Sequence, residues 1–229
     1  MTTHEVLTVS DLGLAGYEEA LALQRSLREA RIEGRVSDSV LLLEHPPTIT
    51  FGRRSRPEEL LASRKVLESQ GVHLAEVERG GKITYHGPGQ LVGYPIVSLR
   101  DLGISVPRYV FVLEQAMIDY LEAVGLEASR RKGFPGVWVK GRKIGAVGVH
   151  LKRWVSIHGF ALNVAPDLGP FQAIVPCGID DAEVTSVAAE LGQVLSIGDA
   201  KLAVADSLRV RLGHVRLEWR PIEAGALTR

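Results

Sequence analysis

Cysteine is nearly missing from this 229-residue sequence: Cys177 stands alone. A single thiol cannot close an internal disulfide, and no CxxC pair exists to hold a metal. That usage fits a reducing compartment. Net charge is missing as well, because 27 Lys and Arg balance 27 Asp and Glu. Proteins that live on polyanions carry a basic excess, so a nucleic-acid partner has little support. No apolar run approaches the roughly 20 residues that span a bilayer. The opening MTTHEVLTVSDLG lacks the basic and apolar regions of a signal peptide. A soluble, cytoplasmic protein with no membrane partner is the expectation.

The familiar catalytic fingerprints are absent too. There is no HExxH, no carboxylate–histidine spacing of a metal site, no GxSxG elbow, and neither a GxxxxGKS/T nor a GxGxxG loop. No metal and no cofactor are expected. Repeats, linkers and low-complexity segments are lacking, so residues 1–229 read as a single domain.

Hydrophobic residues make up 45% of the chain and charged residues 24%, as in an ordinary globular protein. Apolar spacing and proline and glycine placement predict helices over residues 17–31, 57–70, 105–124 and 199–212. Strands are predicted at 6–9, 40–44, 48–51, 72–77, 91–97 and 215–219. Residues 137–139, 143–150 and 156–163 read as an antiparallel meander, with Lys140-Gly141-Arg142 as its first turn. A long loop is predicted over 167–181, and Thr185 as the cap of a short helix. Strands come in runs with helices between the runs. The fold class is therefore α+β, with a mixed, largely antiparallel sheet.

Three stretches carry chemical groups beyond structural need. The first is RGGKITYHGPGQ, residues 79–90, where polar side chains crowd between glycines. Glycine permits positive φ and close approach of a ligand or another backbone; a glycine-ended hairpin explains the same composition. The second is Cys177 in IVPCGID, flanked by Pro176 and Gly178. It reads either as a small buried hydrophobe or as a loop nucleophile, which needs a nearby cation or helix N-terminus. The third is Lys143 in GRKIGAVGVH, an exposed hairpin lysine or the cation that such a cysteine requires. Strand alternation puts Lys143, Gly145, Val147 and Val149 on one face and Ile144, Ala146 and Gly148 on the other. His150 and His158, on adjacent strands, read as supporting residues, not ligands. Arg53, Arg54 and Arg56, then Arg130, Arg131 and Lys132, then Lys152 and Arg153 form basic clusters, either solvated turns or partner sites.

Taken together, RGGKITYHGPGQLVGYP, GRKIGAVGVHLKRWVSIHGFALNV and PCGI closely resemble the lipoyl(octanoyl) transferases. The resemblance runs from about Glu44 to the ID after Cys177. It implies the fold of lipoate and biotin protein ligases. It makes Cys177 the carrier of the acyl group as a thioester and Lys143 the residue that lowers the cysteine's pKa. It makes Arg79, Gly80, Gly81, Lys82, Ile83, Thr84, Tyr85 and His86 one wall of the acyl pocket. Ala146, Val147 and Gly148, with Gly159, Phe160 and Ala161, make the rest, and the small residues Gly145, Ala146 and Gly148 leave room for the chain. The implied donor is octanoyl-acyl carrier protein. The implied acceptors are lysines of lipoyl domains and of glycine-cleavage H protein. An ATP-dependent lipoate or biotin ligase on the same fold is the rival reading.

Overall fold

The computed structural model describes residues 4–175 and 183–222. In chain order these residues form β1 (His4–Leu14), α1 (Tyr17–Ile32), β2 (Ser39–Glu44), β3 (Thr48–Phe51), α2 (Arg64–Ser69), β4 (His73–Glu76), β5 (Thr84–His86) and β6 (Gln90–Ile96). Then come α3 (Val106–Ala123), β7 (Ser129–Arg131), β8 (Phe134–Val139), β9 (Arg142–Lys152), β10 (Val155–Asn163), α4 (Val187–Leu191), α5 (Ile197–Leu212) and β11 (His214–Trp219). Eight strands make the main sheet in the order β11-β1-β2-β6-β10-β9-β8-β7, and three make a smaller one, β4-β3-β5. In the main sheet β1 runs parallel to β11 and β2, and every other neighbour is antiparallel. The sheet is thus mixed and largely antiparallel.

The unbroken apolar run in β2 has a simple cause, since both of its faces are covered. Val40 and Leu42 join the core under α3 and α5, whereas Leu41 and Leu43 join the core under α1. α3 begins where Ser105 Oγ accepts a hydrogen bond from Arg108 N. Its buried stripe of Tyr109, Leu113, Met117 and Leu121 faces the sheet. The turn between β8 and β9 needs positive φ at Lys140 and Gly141, and both have it, at 48° and 80°.

Local propensity loses to distant pairing in one predicted helix. Residues 57–70 break into a 3-10 turn, Pro57–Glu59, and α2, which Ser63 caps. Between them Leu60 bridges to Ile174, and Leu61 N donates to Ala173 O at 2.9 Å. A second 3-10 turn, Gly169–Ala173, lies inside the predicted long loop, the rest of which falls partly outside the described residues. Ser186, not Thr185, caps α4; Thr185 Oγ1 instead donates to Glu190 Oε1 at 2.7 Å. β5 overlaps the short extended piece that the sequence suggests over residues 82–85, between the glycine pairs, and β7 has no counterpart among the predicted strands.

At the sheet centre two glycines are steric necessities. A Cβ on Gly159 would run into the Gly93 carbonyl and lie 2.7 Å from Pro95 Cδ, while a Cβ on Gly93 would enter the Phe160 ring. Overpacking of a tight core costs about 1–3 kcal/mol. Gly159→Ala is expected to lower the melting temperature by roughly 2–10 °C, and an unchanged melting curve by calorimetry would contradict this packing.

Candidate active site

The glycine stretch completes an edge that β8 leaves open. β8 pairs with β9 only as far as Ala146. Beyond that point the Gly80 amide donates to Val149 O at 2.9 Å, so the loop lies along β9. A Cβ on Gly148 would stand 2.9 Å from Gly80 O, and one on Gly52 would stand 2.6 Å from Arg79 Nη1. Gly145 likewise admits the Met117 sulfur, 2.8 Å from a hypothetical Cβ. The missing side chains of Gly145 and Gly148 thus admit neighbouring protein atoms, and Gly148 still borders the cleft together with Ala146.

Arg79 organises this loop from inside. Its Nη1 donates to Lys82 O at 2.7 Å and Gly80 O at 3.2 Å, and its Nη2 donates to Thr50 O at 2.9 Å and Thr50 Oγ1 at 2.7 Å. A buried guanidinium that binds carbonyls in this way fixes the backbone bearing the cleft wall.

Between the loop and the sheet lies a narrow cleft. Arg79, Gly81, Lys82, Ile83, Thr84 and His86 line one side; Ala146, Val147, Gly148, Gly159, Phe160 and Ala161 line the other. Two residues expected in this wall are elsewhere. Gly80 lines an adjoining cavity with Lys143, Val147 and Phe134, and the Tyr85 ring packs edge-on against Phe171, centroids 5.4 Å apart, in the core of the small sheet. Tyr17, Tyr94 and His158 complete the cleft, and nothing in their local sequence marks them out from core aromatics and a strand histidine.

The cleft floor is electrically neutral. Burial, then the neighbouring His45, pushes His86 down to about 3. Burial alone dominates at His45, which falls to about 4. Tyr17 and Tyr94 are both raised by burial and keep their protons at pH 7. His158 is 1% exposed and also lowered by burial, which Glu78 opposes from 3.6 Å. It occupies the left-handed region at φ 56° within β10. Its strand partner is Val149, and His150 instead faces Arg28 at 3.4 Å, so the two histidines do not pair across the strands. Arg79 and Lys82 stand in the loop wall of the cleft, and the rest of its lining, mostly apolar, suits an apolar chain.

Lys143 borders both the adjoining cavity and a smaller hollow lined by Thr84, Ala146 and Ala161 of the cleft. The lysine is 5% exposed. Its Nζ donates to Pro135 O at 3.1 Å and stands 5.4 Å from the centre of the Trp138 ring. A β-bulge lies beneath it, since Trp138 pairs with Lys143 and Val137 with Gly145, leaving Ile144 as the extra residue. Strand alternation therefore breaks at this lysine. Gly136 opposite has φ 129°, and a Cβ there would stand 2.9 Å from Lys143 Cε. Glu114 on α3 holds that backbone by accepting from Gly136 N at 2.8 Å and from Arg130 Nε at 2.9 Å. Arg130 also stacks on Phe111 at 3.8 Å, so this member of the basic clusters buttresses the fold.

Cys177 lies outside the described residues, and the chain on both sides of it is anchored. Before it, Val175 N donates to Glu59 O at 2.8 Å, and Glu59 pairs with Lys82 of the glycine loop at 2.6 Å. After it, Lys143 N donates to Glu183 O at 2.8 Å, and Thr185 N donates to Lys143 O at 2.9 Å. Among the described residues no group of three His, Cys, Asp or Glu is placed to hold a metal.

The catalytic-domain model of the lipoyl protein ligases A/B matches residues 16–209. An octanoyltransferase of Chloroflexus aurantiacus (strain ATCC 29366 / DSM 635 / J-10-fl) is 48% identical over 224 residues, 96% of this chain and 99% of that one. An octanoyltransferase of Solibacter usitatus is 54% identical over 178 residues, 78% of this chain and 80% of that one. Among solved structures, a bipartite lipoate protein ligase of Thermoplasma acidophilum superposes with TM-score 0.72 at 17% identity, covering 99% of this chain and 89% of that one. A biotin protein ligase of Aquifex aeolicus gives 0.54 at 14%, covering 91% and 70%. The structural matches show a shared fold; the closer sequences narrow it. The chain belongs to the lipoyl protein ligase A/B catalytic-domain family and, within it, to the octanoyltransferases.

Proposed function

We propose that this acyltransferase moves an octanoyl (or lipoyl) group from acyl carrier protein to a lysine ε-amine, acting as one catalytic domain over residues 1–229. The acceptor is a lipoyl domain of a 2-oxoacid dehydrogenase or the glycine-cleavage H protein, and the reaction is the first step of protein lipoylation. The observation that carries this reading is the setting of Lys143. It is a buried lysine at the edge of a mostly apolar cleft, hydrogen-bonded through its backbone to Glu183 and Thr185, just past the segment that contains Cys177.

In this reading the ammonium of Lys143 favours the Cys177 thiolate. The thiolate adds to the donor carbonyl, and the tetrahedral oxyanion collapses to expel the carrier thiolate, which takes a proton from Lys143. One thioester replaces another, so the step is near thermoneutral. The acceptor amine then adds to the acyl-Cys177 carbonyl, the cysteine leaves as thiolate, and neutral Lys143 takes the amine's proton. Amide formation from a thioester is downhill and needs no ATP. Each CH₂ of the acyl chain that enters the cleft contributes about 0.8 kcal/mol to binding. No nucleic acid takes part, and among the described residues no helix is long and apolar enough to cross a membrane.

The test is direct. Purified protein mixed with octanoyl-carrier protein and a lipoyl domain, with EDTA and without ATP, is expected to add one octanoyl group to the acceptor at the full rate. Dependence on ATP and Mg²⁺, with free octanoate as the donor, would move the protein to the ligase chemistry of its structural neighbours.

A further inference from the structure

A continuous run of hydrogen bonds crosses the molecule from the glycine loop to the seat of Lys143. Arg79 Nη2 donates to Thr50 Oγ1 at 2.7 Å. The Thr50 hydroxyl lies 3.4 Å from His86 Nε2, and His86 Nδ1 lies 2.7 Å from Gln90 Oε1. Gln90 Nε2 donates to Tyr85 O at 3.2 Å and to Asn163 Oδ1 at 2.9 Å. Asn163 Nδ2 donates to Thr185 O at 3.0 Å, and Thr185 N donates to Lys143 O at 2.9 Å.

Chemistry sets the direction of every link. The carbonyls of Tyr85 and Thr185 can only accept, which orients both amides. Gln90 Oε1 must then receive a proton from His86 Nδ1, and neutral His86 leaves Nε2 to accept from Thr50. Gln90, Asn163 and Thr185 are all buried, so a missing link leaves its partner unpaired away from water. Bonds that point one way polarise one another.

Asn163 stands where the strand pairing changes hands. β10 pairs with β9 up to Leu162–Gly145, and at Lys143 the chain at Val184 takes over that edge as a parallel bridge. The Asn163 side chain spans from the departing strand to the arriving one.

We propose that Asn163 is a positioning residue for Lys143, its amide tying the Thr185 peptide, and with it the backbone that carries the lysine, to the wall of the cleft. This rests on the role in acyl transfer given to Lys143 above. The test compares the wild type with Asn163→Leu and Asn163→Asp. Its first reading needs no activity: competitive acetylation of Lys143 with acetic anhydride, followed by mass spectrometry, with surface lysines such as Lys65 as internal standards. Lys143 is expected to label about tenfold faster or more in Asn163→Leu. Its second reading is kinetic: kcat falls about 10–100-fold while KM for the acyl donor stays within about threefold. Asn163→Asp keeps the size and the acceptor, and once protonated it can donate to Thr185 O again. Its kcat relative to the wild type is expected to rise severalfold from about pH 8 to about pH 6. Should Asn163→Leu fail to fold, this pH-dependent recovery carries the decision. A folded Asn163→Leu whose labelling and kcat both stay within about threefold of the wild type overturns the inference. A wild type that transfers no acyl group counts against the acyl-transfer reading, and the labelling comparison still decides the role of Asn163.

Discussion

Cys177→Ser is expected to lose acyl transfer by about a thousandfold or more while melting as the wild type does. The size follows from the nucleophile. At pH 7 a free cysteine is already a few per cent thiolate, and a neighbouring ammonium raises that fraction. A serine hydroxyl in the same place has essentially no alkoxide and no base strong enough to make one, since Lys143 is assigned to hold a proton at the start of the cycle. The same chemistry predicts a covalent species. Wild-type protein mixed with octanoyl-carrier protein and no acceptor should gain the mass of one octanoyl group on the peptide that contains Cys177. Hydroxylamine or excess thiol should remove it, as expected of a thioester. Adding a lipoyl domain should discharge it at the rate of turnover. A mutant that keeps full activity, together with failure to trap the adduct, would rule out covalent catalysis through this cysteine. An adduct that forms but discharges far more slowly than turnover would mark it as a side product.

Some of this molecule could be read directly from its residues. The continuous apolar run of β2 marks a buried strand, and the structure covers each of its faces with a helical layer. Ser105 and Pro107 marked the start of α3, and Lys140-Gly141 marked a turn whose two residues do take positive φ. These signals are local: an alternation, a cap, a glycine. The interruption between residues 60 and 63 was not legible, because Leu60 gives up its helix to pair with Ile174, far along the chain. The bulge at Ile144 was equally hidden, and it displaces Lys143 from the face that alternation assigned to it. For the site, composition drew attention to residues 79–90 and left open whether their glycines serve a ligand or another stretch of backbone. Gly148 and Gly52 serve the approach of the Arg79–Gly81 loop to the sheets, and the hollow beside them is bounded by Ala146, Phe160 and His158 and by Tyr17 and Tyr94 from other elements. Asn163 looked like the end of a strand. Its importance depends on Gln90 and Thr185, which only the fold brings to its two sides.

Lys143→Ala is expected to move the alkylation profile of Cys177 toward higher pH, and the sign can be worked out in advance. A cation beside a thiol stabilises the thiolate, so under the proposed mechanism the wild-type cysteine is expected to titrate below the ordinary value of about 8.5. Removing the cation returns the thiol toward that value. Below the thiol's pKa the thiolate fraction falls tenfold for each unit that the pKa rises. A shift of about one unit therefore slows reaction with iodoacetamide roughly tenfold near pH 7 and leaves it almost unchanged near pH 10, where both proteins are thiolates. Turnover should fall further than alkylation, by about 10²–10⁴-fold, because the proposed cycle also assigns this residue the proton transfers to the leaving thiol and from the attacking amine. Lys143→Ala also empties a buried site against Trp138 and Gly136 and leaves Pro135 O without its Nζ partner, so lost packing could imitate lost charge. Lys143→Met separates the two, since it fills nearly the same volume without a charge. If the methionine protein melts near the wild type and still shows the raised alkylation midpoint, the ammonium is responsible. If both variants keep the wild-type pH profile, Lys143 does not set the reactivity of Cys177, and the proton steps need another carrier.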